Sequence, residues 1–124
     1  MTDQATKDVQ PNRVIIRHRS GSMVNHIEEF PLTFYKAISI GRTATSAVKY
    51  DPERDDLVSR VHAKIEQDPS DPTRFTIEDL SSRNGTFVNK QRIIGVAIVK
   101  PGDVIQLGPG GPEFEFDLDP PRTA

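Results

Sequence analysis

There is no cysteine among the 124 residues. Disulfides, thiolate metal sites and cysteine nucleophiles are therefore excluded. No apolar run approaches the roughly 20 residues of a membrane-spanning helix, and the opening residues lack a signal-peptide pattern. A cytoplasmic location is the default expectation, with no membrane partner. An excess of positive charge is missing too: 16 Lys and Arg face 18 Asp and Glu, a formal net charge of −2 and a pI near 5.9. A nucleic-acid binder would carry a basic footprint, so no such partner is expected. His18, His26 and His62 lie far apart without metal-ligand spacing, which argues against a zinc site, and no cofactor is implied. Gly108 to Pro112 is glycine-rich but lacks the Gly-Lys-Ser/Thr ending of a phosphate-binding P-loop, and it reads as a plain loop.

What is present is ordinary for a soluble domain: 35% hydrophobic and 27% charged residues, enough for one domain with a modest core. Residues 1–12 are polar and lack apolar periodicity, and they read as a flexible arm. From Arg13 the pattern is one of alternation. Arg13, Arg17 and Arg19 share one face of a strand and Val14 and Ile16 the other. Phe30, Leu32 and Phe34 recur at period two, with Pro31 marking an edge or bulge. Ile38 and Ile40 continue to Gly41-Arg42, and Val48 with Tyr50 forms a short strand. Phe114, Phe116 and Leu118 alternate with Glu113, Glu115 and Asp117 in a last strand, whose acids are complementary to Arg17 and Arg19. The first and last strands are expected side by side, before a loose tail at 119–124. Many short strands separated by turn chemistry indicate an all-β sandwich or barrel.

One segment is ambiguous. Glu53 to Gln67 contains no Pro or Gly, with Leu57, Val61 and Ile65 at helical spacing and Asp51-Pro52 suited to a helix start. The alternative is an acidic loop followed by a strand from Val61 to Gln67, with Ala63 and Ile65 inward.

The densest polar chemistry lies in Ser81-Ser82-Arg83-Asn84-Gly85-Thr86. Asn84-Gly85 is a strong hairpin dipeptide, flanked by strand-like Phe75–Glu78 and Thr86–Val88. A hairpin needs only the Asn-Gly. The additional hydroxyls and guanidinium suggest a loop that holds something anionic or peptide-like, against the plainer reading of a solvated polar turn.

Three loops stand in order: Ile40-Gly41-Arg42, Ser59-Arg60-Val61-His62, and Asp79 to Asn89 with Asn84-Gly85 at its centre. This ordered set resembles the forkhead-associated (FHA) domain, and the resemblance covers roughly Arg13 to Leu118. It implies a sandwich of about eleven mostly antiparallel strands that binds phosphothreonine peptides through loops at one end, and it favours the strand at Val61–Gln67. By the same resemblance, Arg42, Ser59, Arg60 through its N–H, and Arg83 take the phosphate, while Asn84 holds the peptide backbone. Gly41, His62, Gly85 and Asn89 are structural at the site. Leu57 and Val58 choose the ligand residue after the phosphothreonine, with a preference for an apolar side chain. The arginine-to-serine gap is longer than usual and holds the acidic run 53–56.

The expected partner is a threonine-phosphorylated protein, with the chain's own Thr6 as a candidate self-ligand. The expected role is signalling without catalysis. Two rivals differ in kind. One is a phosphate-independent scaffold that associates through a sheet face or with itself. The other is a hydrolase using Ser59, His62 and Asp79, which lacks an evident oxyanion site.

Overall fold

The computed structural model describes residues 10–120. Eleven strands are present: β1 (Arg13–His18), β2 (Ile27–Pro31), β3 (Ala37–Gly41), β4 (Val48–Lys49), β5 (Val61–Asp68), β6 (Asp71–Asp79), β7 (Thr86–Val88), β8 (Gln91–Arg92), β9 (Val96–Val99), β10 (Val104–Leu107) and β11 (Glu113–Asp119). They form a six-stranded sheet, β2-β1-β11-β10-β7-β8, and a five-stranded sheet, β4-β3-β5-β6-β9. The two-residue β4 runs parallel to β3; the other pairings are antiparallel.

Period-two alternation explains the layers. Val14 and Ile16 of β1, Phe114, Phe116 and Leu118 of β11, and Ile105 and Leu107 of β10 are buried on the inner face of the six-stranded sheet. Ile38, Ile40, Ala63, Ile65, Phe75 and Ile77 supply the facing layer. Phe75 and Phe116 meet across the interior, ring centroids 5.6 Å apart. β1 and β11 pair in full, from Arg13 opposite Asp119 to His18 opposite Phe114, and Arg17 reaches Asp117 at 2.6 Å. The acidic and basic outer faces of the two strands are thus in direct contact.

The domain edges differ by a residue at each end from the sequence reading. Asn12 donates to Asp119 O (2.9 Å) and accepts from Leu32 N (2.9 Å), so both Asn12 and Asp119 belong to the sandwich. Thr6 lies outside the described residues. Phe34 breaks the expected alternation and is 82% exposed. The chain turns after Pro31, whose carbonyl accepts from Phe34 N and Tyr35 N, and Tyr35 rather than Phe34 packs on Phe30, edge to face at 5.1 Å.

A larger correction concerns the Asn-Gly turn. β6 and β7 lie in different sheets, so Asn84-Gly85 closes no hairpin, and only Gly85 has positive φ there (88°). A two-residue hairpin turn is formed instead by Asn89-Lys90, with φ of 50° and 71°, which joins the paired strands β7 and β8. Ser81–Gly85 is instead a crossing between sheets. This crossing, the loops after β3 and β4 and the loop between β10 and β11 all emerge at one end of the sandwich. Asn12 and Asp119 meet at the other.

Removing a buried aromatic ring leaves a cavity that costs about 3–5 kcal/mol, whereas an exposed ion pair contributes about 0.2–1 kcal/mol. Phe116→Ala is therefore expected to lower the urea-unfolding free energy several-fold more than Arg17→Ala. Comparable losses in the two variants would show that the outer charges, not the inner layer, hold β1 to β11.

Candidate functional site

The site begins where β3 ends. The Arg60 carbonyl crosses directly over Gly41, so that a Cβ on residue 41 would stand 2.1 Å from that oxygen. Only glycine permits the approach. The same carbonyl accepts from Arg42 N (3.0 Å) and Thr43 N (3.3 Å), which fixes Arg42 beside the segment 58–60. Arg42 Nε donates to Val58 O, and its Nη1 to Pro52 O at 3.2 Å. A guanidinium has five N–H donors, and the remaining three make no hydrogen bond to the described residues. Arg42 is thus both a tie between loops and a cation with donors to spare.

A second set of bonds joins the 57–62 segment to the 83–85 crossing. Ser59 N donates to His62 Nδ1 (3.0 Å), and His62 Nε2 donates to Gly85 O (2.9 Å). An accepting Nδ1 means the neutral Nε2–H tautomer. Arg83 N donates to Ser59 Oγ (2.9 Å) and Asn84 Nδ2 to Leu57 O (2.9 Å). The Ser59 hydroxyl hydrogen, the Asn84 Oδ1 and the exposed Arg83 guanidinium make no hydrogen bond to the described residues.

The surplus of hydroxyls in this crossing has an internal use. Ser82 Oγ and Thr86 Oγ1 both donate to Asp79 Oδ1, at 2.5 and 2.7 Å, and Ser82 Oγ accepts from Gly85 N at 2.9 Å. Partial burial would raise the Asp79 carboxyl, but these bonds outweigh it and hold the group below the ordinary carboxylate range. Ser82 and Thr86 therefore shape the loop, and Arg83 and Asn84 are left to face outward.

The 51–58 segment combines both local readings. Asp51 Oδ1 accepts from Glu53 N and Arg54 N, and Asp55 N bonds to Asp51 O, making a single capped turn. β5 then starts at Val61 as a strand. The acidic run is not uniformly solvated. Asp55 is 4% exposed and accepts from Ser22 N, Ser22 Oγ and Asp51 N, which moors the loop to the β1–β2 connection. Val58 is wholly buried in the core. Its side chain cannot meet a ligand, so the selectivity role expected for it is withdrawn; its carbonyl serves Arg42 instead. Leu57 is half-buried.

Asn89 also needs relocation. It stands beyond the far end of β7, bonded to Asp103 Oδ1 and Val104 N, and it secures the turn before β10 rather than the ligand loops. Two neighbours escaped the sequence reading. Gly108 lies against Asn84 and Leu57, and beside it a depression of about 170 Å³ is lined by Ser20, Arg54, Asp56, Leu57, Gly110 and Pro112. The Arg92 guanidinium lies over Gly85 from the other side. Sequence distance hid both. Wider depressions of about 330 and 660 Å³ lie elsewhere, near Glu113 and along β8–β9.

A family profile described as FHA domain matches residues 38–108, more than half of the chain. The chain belongs to the FHA family. A domain from a structural and functional study of phosphothreonine-dependent FHA interactions is 28% identical, with TM-score 0.65 over 84% of this chain and 94% of its own. The FhaA FHA domain, solved in complex with the intracellular domain of Rv3910, is 27% identical, with TM-score 0.66 over 83% and 98%. An Arabidopsis thaliana FHA domain is 22% identical and shares the fold at TM-score 0.74 over 88% and 86%. Among curated proteins no sequence match is found.

The hydrolase arrangement is not present in this FHA domain. Both His62 nitrogens are occupied by backbone groups rather than by Ser59 Oγ, so no base is poised on that hydroxyl. Burial is the largest influence on His62 and lowers its pKa, against smaller opposing effects of Gly85 and Asp79. The folded chain thus binds this proton less readily than the unfolded chain. Stability is full above the ordinary histidine pKa of about 6.5 and falls as pH drops from there toward the lowered folded value. Unliganded wild type is expected to lose unfolding free energy between pH 7 and pH 5 more steeply than His62→Gln. Equal slopes in the two proteins would assign the pH dependence to other groups.

Proposed function

We propose that this FHA domain binds phosphothreonine peptides and so brings its host to threonine-phosphorylated proteins. The observation that carries the reading is the convergence of Arg42, Ser59, Arg83 and Asn84 from three loops, each with hydrogen-bonding capacity left over. A phosphothreonine presents about −1.5 to −2 charges and three acceptor oxygens at neutral pH. Unspent guanidinium N–H groups, a hydroxyl and a backbone N–H form a complementary donor set. On this reading Arg42 is the main cation, Ser59 donates its hydroxyl, Arg60 its N–H, and Arg83 adds charge at the rim. Asn84 takes the peptide backbone. The phosphothreonine-dependent interactions of one relative and the protein complex of another support the assignment.

Leu57 and the adjoining depression would receive a residue C-terminal to the phosphothreonine. Exposed Glu53 and Asp56 nearby, only partly offset by Arg54, disfavour an acidic one, a bias screened beyond about 8 Å in physiological salt. The module would work in the cytoplasm, in signalling or regulation, and without catalysis. Among the described residues no helix is long and apolar enough to cross a membrane.

Isothermal titration with one phosphothreonine peptide and its unphosphorylated twin tests the reading. Wild type is expected to bind only the phosphorylated form. Arg42→Ala should cost about 2–5 kcal/mol, as for one partner of a desolvated charge pair. Ser59→Ala should cost about 1.5–3 kcal/mol, as for a hydrogen bond to a charged group. Thermal melts confirm that both variants fold. Equal affinity for the two peptides would favour the phosphate-independent scaffold.

A further inference from the structure

We infer that Arg92, with Arg83, forms a second anion-recognition point that takes an acidic or phosphorylated side chain on the N-terminal flank of the phosphothreonine. The inference rests on the function proposed above and extends it to the ligand's flank.

Arg92 lies in β8, opposite Phe87 of β7, and its guanidinium folds back over the crossing. A Cβ added to Gly85 would stand 2.8 Å from Arg92 Nε, 3.0 Å from Cζ and 3.2 Å from Nη2. The guanidinium is therefore packed on the turn that carries Asn84, two residues from Arg83. It is exposed and makes no ion pair or hydrogen bond with the described residues. Of the arginines on the outer face of the same sheet, Arg13 is spent on Glu29 and Asp119 and Arg17 on Asp117, while Arg19, just past β1 and away from the crossing, also makes no ion pair with the described residues. β8 is the last strand of its sheet, so no further strand can offer a carboxylate on that side.

Strand order places Arg92 on the side of the turn away from Leu57. β7 lies between β10 and β8. Gly108, just after β10, packs on Asn84 and Leu57, so the Leu57 depression and Arg92 stand on opposite sides of the Asn84-Gly85 turn. On the ligand direction proposed above, with the C-terminal residues toward Leu57, the N-terminal residues leave Asn84 on the Arg92 side. The charges are arranged to match. Exposed Glu53 and Asp56, partly offset by Arg54, mark the Leu57 side, and Arg83 and Arg92 the other. Such a gradient favours a ligand that is acidic before the phosphothreonine and not after it.

The test uses the full chain and four kinds of phosphothreonine peptide. One has neutral flanks, one a glutamate at a single position among the four preceding residues, one a phosphoserine there, and one a glutamate after the phosphothreonine. Wild type should bind the best preceding-glutamate peptide about two- to fivefold more tightly than the neutral one, the range of an exposed ion pair. The phosphoserine peptide should gain more, the following-glutamate peptide should gain nothing, and both gains should shrink as salt rises. Arg92→Gln should bring the ratio of preceding-glutamate to neutral affinity to about one. An unchanged ratio in Arg92→Gln, including uniform weakening toward every peptide, would overturn the inference and leave Arg92 a prop for Gly85. So would a wild type with no preference at any preceding position. Failure of wild type to bind even the neutral phosphothreonine peptide would strike the proposed function first, and this inference with it.

Discussion

His62, near the start of β5, ties the serine loop to the sheet crossing through its ring, while its own carbonyl accepts from Leu80 N where β6 runs into that crossing. One nitrogen accepts from Ser59 N and the other donates to Gly85 O, so one ring spans from the serine loop to the sheet crossing. The bridge requires a neutral imidazole, because protonation would turn the accepting Nδ1 into a second donor facing an N–H. Burial supplies that condition by disfavouring the charged form. The bonds from Arg83 N to Ser59 Oγ and from Asn84 Nδ2 to Leu57 O form across the gap that His62 holds. On the other side of Ser59, the Arg60 carbonyl seated on Gly41 brings in the arginine loop.

The layers were legible in the sequence because burial on one sheet face writes itself as alternation. Val14-x-Ile16 and Phe114-x-Phe116-x-Leu118 behave as that rule requires, and the opposite charges on their outer faces announced the pairing of β1 with β11. Phe34 failed the rule because alternation persists only while the backbone stays extended, and Pro31 starts a turn. The two Asn-led turns show a different limit. Asn-Gly favours positive φ, but which turn closes a hairpin depends on which strands share a sheet. That is a long-range property, and it gave the hairpin to Asn89-Lys90.

At the candidate site the ordered motif residues were legible and their division of labour was not. Ser82 looked like a ligand donor and serves Asp79 instead, together with Thr86. Asp55 looked like part of a solvated acidic run, yet it is buried against Ser22 from a segment more than thirty residues away. Val58 and Leu57 are adjacent and both apolar, but the turn before β5 sends one into the core and leaves the other at the rim. In each case residue type was readable and the direction of the side chain was not, since direction depends on partners far off in sequence.

The loops at this end have neither disulfides nor long strands to fix them. They are held by side-chain groups bonded to the backbone of the neighbouring loop: a guanidinium to Val58 O and Pro52 O, an imidazole to Ser59 N and Gly85 O, an amide to Leu57 O, and a carboxylate to Ser22 N. Each such bond adds only about 0.5–1.5 kcal/mol, more where a charge takes part, so none alone orders the surface. Because they converge from different loops, they place their leftover donors before any ligand arrives, which reduces the ordering cost of binding. The same economy explains why Arg42 need not be wholly free to act as a cation. Two of its N–H groups hold it in position, and that fixed position is what gives the other three a defined direction.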